Sequence, residues 1–138
     1  MNRISFIDTA LATARAWSFR SEDPFKKVGC CILNEEGRVL SVGYNGLPAK
    51  FNPNEGFWDD RNFRRKYILH AEINALSLIK RTDNAYILAC TLLPCSSCAT
   101  SIVAHGIKNV VYLEDYEPDQ NALDILKYYG VNINKYEK

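Results

Sequence analysis

Two short stretches constrain this chain more than anything else in it: His70-Ala71-Glu72 and Pro94-Cys95-Ser96-Ser97-Cys98. Together they offer one imidazole, two thiols across a two-residue gap, and a carboxylate two residues beyond the imidazole. A Cys-x-x-Cys pair has the reach to grip one tetrahedral zinc, and His70 supplies a third ligand. Three protein ligands leave a fourth position for water, which is the arrangement of a catalytic zinc. Glu72 then serves better as a proton shuttle than as a ligand. On its own, the Cys95/Cys98 pair also fits a structural zinc knuckle or a redox couple. A closed structural site needs a fourth ligand, for which Cys30, Cys31, Cys90 and His105 are the candidates. Against those readings stands the order of the motifs: His70 is one of two histidines in the chain, and it precedes a glutamate and then a Pro-Cys-x-x-Cys.

The surrounding pattern says where these residues sit. Apolar residues at Ile4, Ile7, Leu11, Ala14 and Phe19 recur at helical spacing and predict an amphipathic helix that Asp23-Pro24 closes off. The run from Val28 to Leu33 reads as a strand, Asn34 to Gly37 as a tight turn, and Arg38 to Tyr44 as the returning strand. Cys30 and Cys31 then point to opposite faces. From Asn45 to Tyr67 the chain is irregular, with Pro48, Pro53 and Gly56 beside Phe51, Phe57, Trp58 and Phe63. That many aromatics predict a folded wall or lid, with a helical turn or two between Asp59 and Tyr67. Its cluster Arg61, Arg64, Arg65 and Lys66 reads either as a solvated face or as an anion site.

His70 to Arg81 is predicted as a helix, with His70 and Glu72 in its first turn. Residues two apart on a helix lie about 200° around the axis, so these two converge only beyond the N-terminus. The run from Ala85 to Leu92 is a third strand, and Pro94 opens a helix with the cysteine pair in its first turn. Free N–H groups there favour thiolates. His105-Gly106 reads as that helix's C-cap. A strand from Asn109 to Leu113, a helix from Asp119 to Tyr129 stopped by Gly130, and a short strand from Val131 to Ile133 complete the pattern. The order implies α/β architecture: a mixed five-stranded sheet between helix layers, with the site outside strand ends.

Composition narrows the function classes. A chain of 138 residues, 47% hydrophobic and 24% charged, is read as one soluble domain over 1–138. A net charge of +1 gives no general attraction to nucleic acid or to an anionic membrane. No run is apolar enough to span a bilayer, and Met1 to Ser5 shows no signal-peptide pattern. Five cysteines, two of them adjacent, fit a reducing, cytoplasmic compartment better than a disulfide framework.

His-x-Glu followed by Pro-Cys-x-x-Cys is the signature of zinc-dependent nucleobase deaminases. Four further segments narrow the resemblance. Arg20-Ser21-x-Asp23-Pro24-x-x-Lys27-Val28-Gly29, Gly43-Tyr44-Asn45-Gly46-Leu47-Pro48, His70-Ala71-Glu72-Ile73-Asn74-Ala75 and Thr91-Leu92-x-Pro94-Cys95-x-x-Cys98-Ala99 resemble the deoxycytidylate deaminases. The stretch from Gly106 to Tyr112 is similar too. Where that family often carries Arg-Gly after the proline, this chain has Ala49-Lys50. The resemblance implies a three-layer α/β/α cytidine-deaminase-like fold, a zinc cofactor on His70, Cys95 and Cys98, and Glu72 as the catalytic acid and base. It further implies a small pyrimidine deoxynucleotide as substrate and a homo-oligomer, with dCMP hydrolysed to dUMP and ammonia to feed thymidylate synthesis. Asn45 is expected to bind the deoxyribose hydroxyl, and the backbone around Ala71 and Leu93 the pyrimidine edge. For the phosphate, Arg20, Ser21 and Lys27 are the first candidates, with Arg64-Arg65 second. The alternatives are dCTP as substrate, a base within RNA or DNA, or a zinc-binding interaction module without turnover.

Overall fold

The computed structural model describes residues 2–115 and 120–136. Five strands form one mixed sheet in the order β2-β1-β3-β4-β5. β1 (Gly29–Asn34) runs antiparallel to both β2 (Val39–Tyr44) and β3 (Ala85–Leu92), while β4 (Asn109–Glu114) and β5 (Asn132–Lys135) continue parallel to β3. The expected mixed five-stranded sheet between helix layers is what the chain forms. The β1–β2 turn closes as expected, with Gly37 at φ +84° and the Asn34 side chain accepting from the N–H groups of Glu36 and Arg38.

One face of the sheet carries α1 (Phe6–Ser18). The other carries α3 (Ala71–Leu76), α4 (Ser96–Ala104) and α5 (Gln120–Tyr128). Cys30 and Cys31 are divided between the two cores, as strand alternation requires. The start of the last helix, expected at Asp119, lies outside the described residues.

α1 buries the middle of the expected stripe, with Leu11 and Ala14 in the core and Ile7 packed against it, but not its two ends. Ile4 and Phe19 are exposed, and Ala10, Leu11, Ala14 and Ser18 are buried. The cause is how closely the helix lies on the sheet. A Cβ built on Gly29 would fall 1.7 Å from the carbonyl oxygen of Ala14. Backbone approaches backbone there, so the facing positions at intervals of four are small ones: Ala10, Ala14 and Ser18.

The predicted helix from His70 to Arg81 is cut short at Leu76, and Leu78 is left 71% exposed. Two side chains tie this end to β2. Ser41 of β2 donates its hydroxyl to the carbonyl of Ala75 at 2.7 Å, an oxygen the next helical turn would need. Asn74 donates to the Tyr44 carbonyl at 2.8 Å, which ties the same short helix to the end of β2. At Gly43 a Cβ would meet the Ala71 oxygen at 2.5 Å and the Ala75 nitrogen at 2.6 Å, both of them backbone. Gly43→Ala is therefore expected to push α3 off the sheet. Overpacking of this kind costs roughly 1–3 kcal/mol, or about 5–10 °C in a domain of this size. A thermal melt checks it, and an unchanged midpoint would show that α3 has slack.

Candidate active site

α3 and α4 pack on the same face with their N-termini together, and each begins at a ligand-type residue. His70 is the N-cap of α3 and Cys95 the N-cap of α4, with extended backbone at both. Both therefore stand one step ahead of the first turn that the sequence pattern predicts. Cys98 and Glu72 lie within the first turns. From a cap, a side chain reaches past the end of its helix instead of around it, and so two separate helices can present donors to one point.

The His70 Nδ1 lies 3.5 Å from Cys95 Sγ and 3.4 Å from Cys98 Sγ. All three donor atoms fall within 4.8 Å of one another. A tetrahedral zinc with Zn–N and Zn–S bonds of about 2.0 and 2.3 Å puts such donors about 3.6 Å apart. The donor set therefore fits zinc, at a spacing already close to the ligated one. Among the described residues no fourth histidine, cysteine or carboxylate joins this group. Cys30 and Cys90 are cross-strand partners, free thiols that hydrogen-bond to each other. Cys31 sits on the opposite face of the sheet, and His105 caps α4 with its Nδ1 3.0 Å from the Ser101 carbonyl. A closed knuckle thus lacks its fourth ligand among the described residues, and the His70 imidazole set against both sulfurs fits a three-donor metal site better than a lone redox couple.

Electrostatics agree with a metal-binding pair. The Cys98 thiol donates to Cys95, and with His70 alongside this brings Cys95 down to about 4, while Cys98 is held up as the donor. The pair so keeps one thiolate ready for a cation. The Cys95 contact in turn raises His70. Glu72 is 4% exposed, and burial pushes its carboxyl above the usual carboxylate range. A carboxyl raised in this way holds a proton more readily than a solvated one, which suits a group that must both take and return it. Burial alone raises Cys31 to about 11, as expected of an inert core thiol.

These groups form one wall of a cavity of about 330 Å³, within the range of small-molecule sites. Asn45, Ala71 and Leu93 line it beside His70, Glu72 and Cys95. Arg20, Ser21 and Lys27 do not. Arg20 donates to the Tyr44 hydroxyl at 3.4 Å and lies over its ring, Ser21 is buried, and the Lys27 ammonium turns back to the Ser21 carbonyl. The cations on the cavity wall are Arg64 and Arg65 from α2 (Arg61–Tyr67), a helix capped by Asp60. Arg64 is 5% exposed and ion-paired to Asp23 at 3.1 Å. The sequence hint of a buried arginine was its place four residues before Ile68, on the face that α2 turns inward. For Asp23 the sequence pattern predicts only the break after the first helix, not its buried pairing with Arg64.

The family model for the cytidine and deoxycytidylate deaminase zinc-binding region matches residues 2–114. The chain is similar to the deoxycytidylate deaminase of Mus musculus, at 32% identity over 139 residues, covering 91% of this chain and 76% of the mouse protein. It is similar to the Homo sapiens deoxycytidylate deaminase at 32% over 117 residues, covering 80% of this chain and 66% of the human protein, just under two thirds. Its fold is similar to that of the dCMP deaminase from the cyanophage S-TIM5 in complex with dCMP and dUMP. That match has a TM-score of 0.78 at 27% identity, covering 99% of this chain and all of the phage protein.

Proposed function

The chain belongs to the cytidine and deoxycytidylate deaminase family, and on that premise we propose that it hydrolyses dCMP to dUMP and ammonia. The observation that carries the proposal is the meeting of His70, Cys95 and Cys98 with the buried Glu72 in a cavity that also holds Asn45 and two arginines. Zinc on the imidazole and the two thiols supplies the Lewis acidity that makes water nucleophilic near neutral pH. Glu72 takes the proton of the attacking water as oxygen adds to C4 of the cytosine. It passes that proton to N3, then takes the proton of the new C4 hydroxyl and delivers it to the amine, so that C4=O forms as the C–N bond breaks and ammonia leaves.

Other groups hold the substrate. The Leu93 N–H is committed to the Glu114 carbonyl at 2.9 Å, so Leu93 offers its carbonyl to a donor on the pyrimidine edge. The Ala71 N–H, in the first turn of α3, has no helical acceptor and is available to an acceptor on that edge. Arg64 and Arg65 supply the positive end of the cavity and favour a phosphate over a bare sugar. Arg20, Ser21 and Lys27 are then left to shape the loop around the cavity. The ligand thiols must stay reduced, which fits the cytoplasm. No helix among the described residues is long and apolar enough to cross a membrane. The dUMP product would feed thymidylate synthesis. Exposed Trp17, Phe19 and Leu78 fit assembly into a homo-oligomer, which sedimentation would report.

Ammonia release from dCMP, dCTP, deoxycytidine and single-stranded DNA tests this reading directly. Turnover of dCMP is expected to exceed that of the nucleoside, with none on DNA. A preference for dCTP would change the substrate, and no release from any of the four would leave a zinc-binding module. Arg65→Ala is expected to raise the KM for dCMP by about tenfold, the value of one charged hydrogen bond, and to leave that for deoxycytidine within about twofold. Equal KM shifts for both substrates would remove the phosphate from this wall.

A further inference from the structure

Behind the cavity wall, and not lining it, sits a carboxylate that the chemistry does not use. Asp23 is 1% exposed, and its two oxygens do different work. Oδ1 accepts from the backbone N–H groups of Phe25 at 2.8 Å and Lys26 at 3.3 Å. Oδ2 accepts from Asn45 Nδ2 at 3.3 Å and from Arg64 Nη2 at 3.1 Å. Two residues from separate segments, both on the cavity wall, therefore meet on one buried oxygen.

That oxygen settles what Asn45 shows to a ligand. Its NH2 group is spent on Asp23 and on the Lys26 carbonyl at 2.9 Å. Its Oδ1 accepts from the Val28 N–H at 2.9 Å and keeps one lone pair. The amide cannot flip without setting donors against donors, so the ligand group it meets must itself be a donor, such as a sugar hydroxyl. Arg64 is fixed in the same way, between Oδ2 and the Phe25 ring, whose centroid lies 5.1 Å from its guanidinium carbon. A buried ion pair adds little to stability once desolvation is counted, so the geometry it imposes is its main effect.

We propose that Asp23 is a positioning residue that locks Asn45 and Arg64 into one preassembled clamp for the sugar-phosphate end of a nucleotide. Asn45 accepts from a sugar hydroxyl, Arg64 donates to the phosphate, and Asp23 removes the ordering cost that both would otherwise meet on binding. The clamp rests on the nucleotide reading above. It separates holding the substrate from transforming it, because Asp23 touches neither the zinc ligands nor Glu72.

The decisive variant is Asp23→Asn. Its amide oxygen can keep the two backbone N–H groups, but its NH2 then faces two donors, so the clamp comes apart with little change in volume. With one zinc per chain retained, the KM for dCMP is expected to rise about 10- to 100-fold, as for a lost charged hydrogen bond. The affinity for dUMP, read by calorimetry, should fall in parallel. The KM for deoxycytidine, which engages only Asn45, should rise several-fold less, and kcat for dCMP should stay within about threefold of wild type. A zinc-loaded Asp23→Asn protein with wild-type dCMP KM and dUMP affinity overturns the clamp. So does an equal loss of kcat on nucleotide and nucleoside, which is what general loosening of the fold would give. If Asp23→Asn does not fold, Arg64→Gln carries the test. It should raise the KM for dCMP about tenfold and that for deoxycytidine several-fold less, and an unchanged dCMP KM again overturns the proposal. Failure of the wild type to deaminate dCMP would strike the substrate reading instead, with dUMP affinity still deciding the clamp.

Discussion

Glu72→Gln is expected to lose at least about 10³-fold in kcat while keeping its zinc and its fold. General acid–base catalysis by one side chain is typically worth about 10²- to 10⁴-fold, and in the proposed mechanism one carboxyl serves both as base to water and as acid to N3 and the amine. Glutamine matches the volume and can still hydrogen-bond, but it neither takes nor returns a proton. Stability should hardly change, because Glu72 is 4% exposed and burial disfavours its charged form. A neutral amide sidesteps that penalty. Three measurements on one preparation decide the matter: kcat with dCMP, zinc per chain, and the melting midpoint. Lost turnover with about one zinc and a near-wild-type midpoint assigns Glu72 to proton transfer. Lost zinc would make Glu72 a ligand and close the site, and retained turnover would put the acid–base group elsewhere.

Much of the site was legible because its chemistry is local in sequence. His70, Glu72, Cys95 and Cys98 announce themselves by residue type and spacing, and the period of the flanking runs puts them at the starts of helices. The alternating strand pattern divided Cys30 from Cys31 correctly for the same reason. What escaped were effects of distant backbone. Nothing near Ala75 predicts that a serine on β2 will donate to its carbonyl, or that α3 will end at Leu76. Nothing in the apolar spacing of α1 says that Gly29 will draw Ala14 onto the sheet and turn Ile4 and Phe19 outward. The charged groups divide in the same way. Arg64 and Lys27 are both cations with another cation next to them, but one is capped into an inward-facing helix and the other folds back on a carbonyl of its own loop. Which of them reaches the cavity depends on α2 and its Asp60 cap, and that is decided by packing.

Cys95→Ser is expected to lose the metal, and with it several kcal/mol of stability. Cys95 is the thiol whose proton is most readily shed, being bonded by Cys98 and His70, so it anchors the cation. A serine hydroxyl does not ionise near neutral pH and is a poor partner for zinc. Zinc binds the assembled site and not the dispersed ligands, so its affinity adds to folding free energy. At a free zinc level about 1,000 times the dissociation constant the gain is about 4 kcal/mol. For a domain of this size that is about 10 °C or more in the melting midpoint. The wild type stripped by a strong chelator should show the same shift and recover on adding zinc, whereas Cys95→Ser should not recover. Cys30→Ala is the control. It removes a buried thiol from the core behind the site without touching a ligand, so it should cost some packing energy yet keep about one zinc per chain. If Cys30→Ala also lost its zinc, the donor set would extend beyond His70, Cys95 and Cys98. The open position on which the deaminase chemistry depends would then be filled by protein.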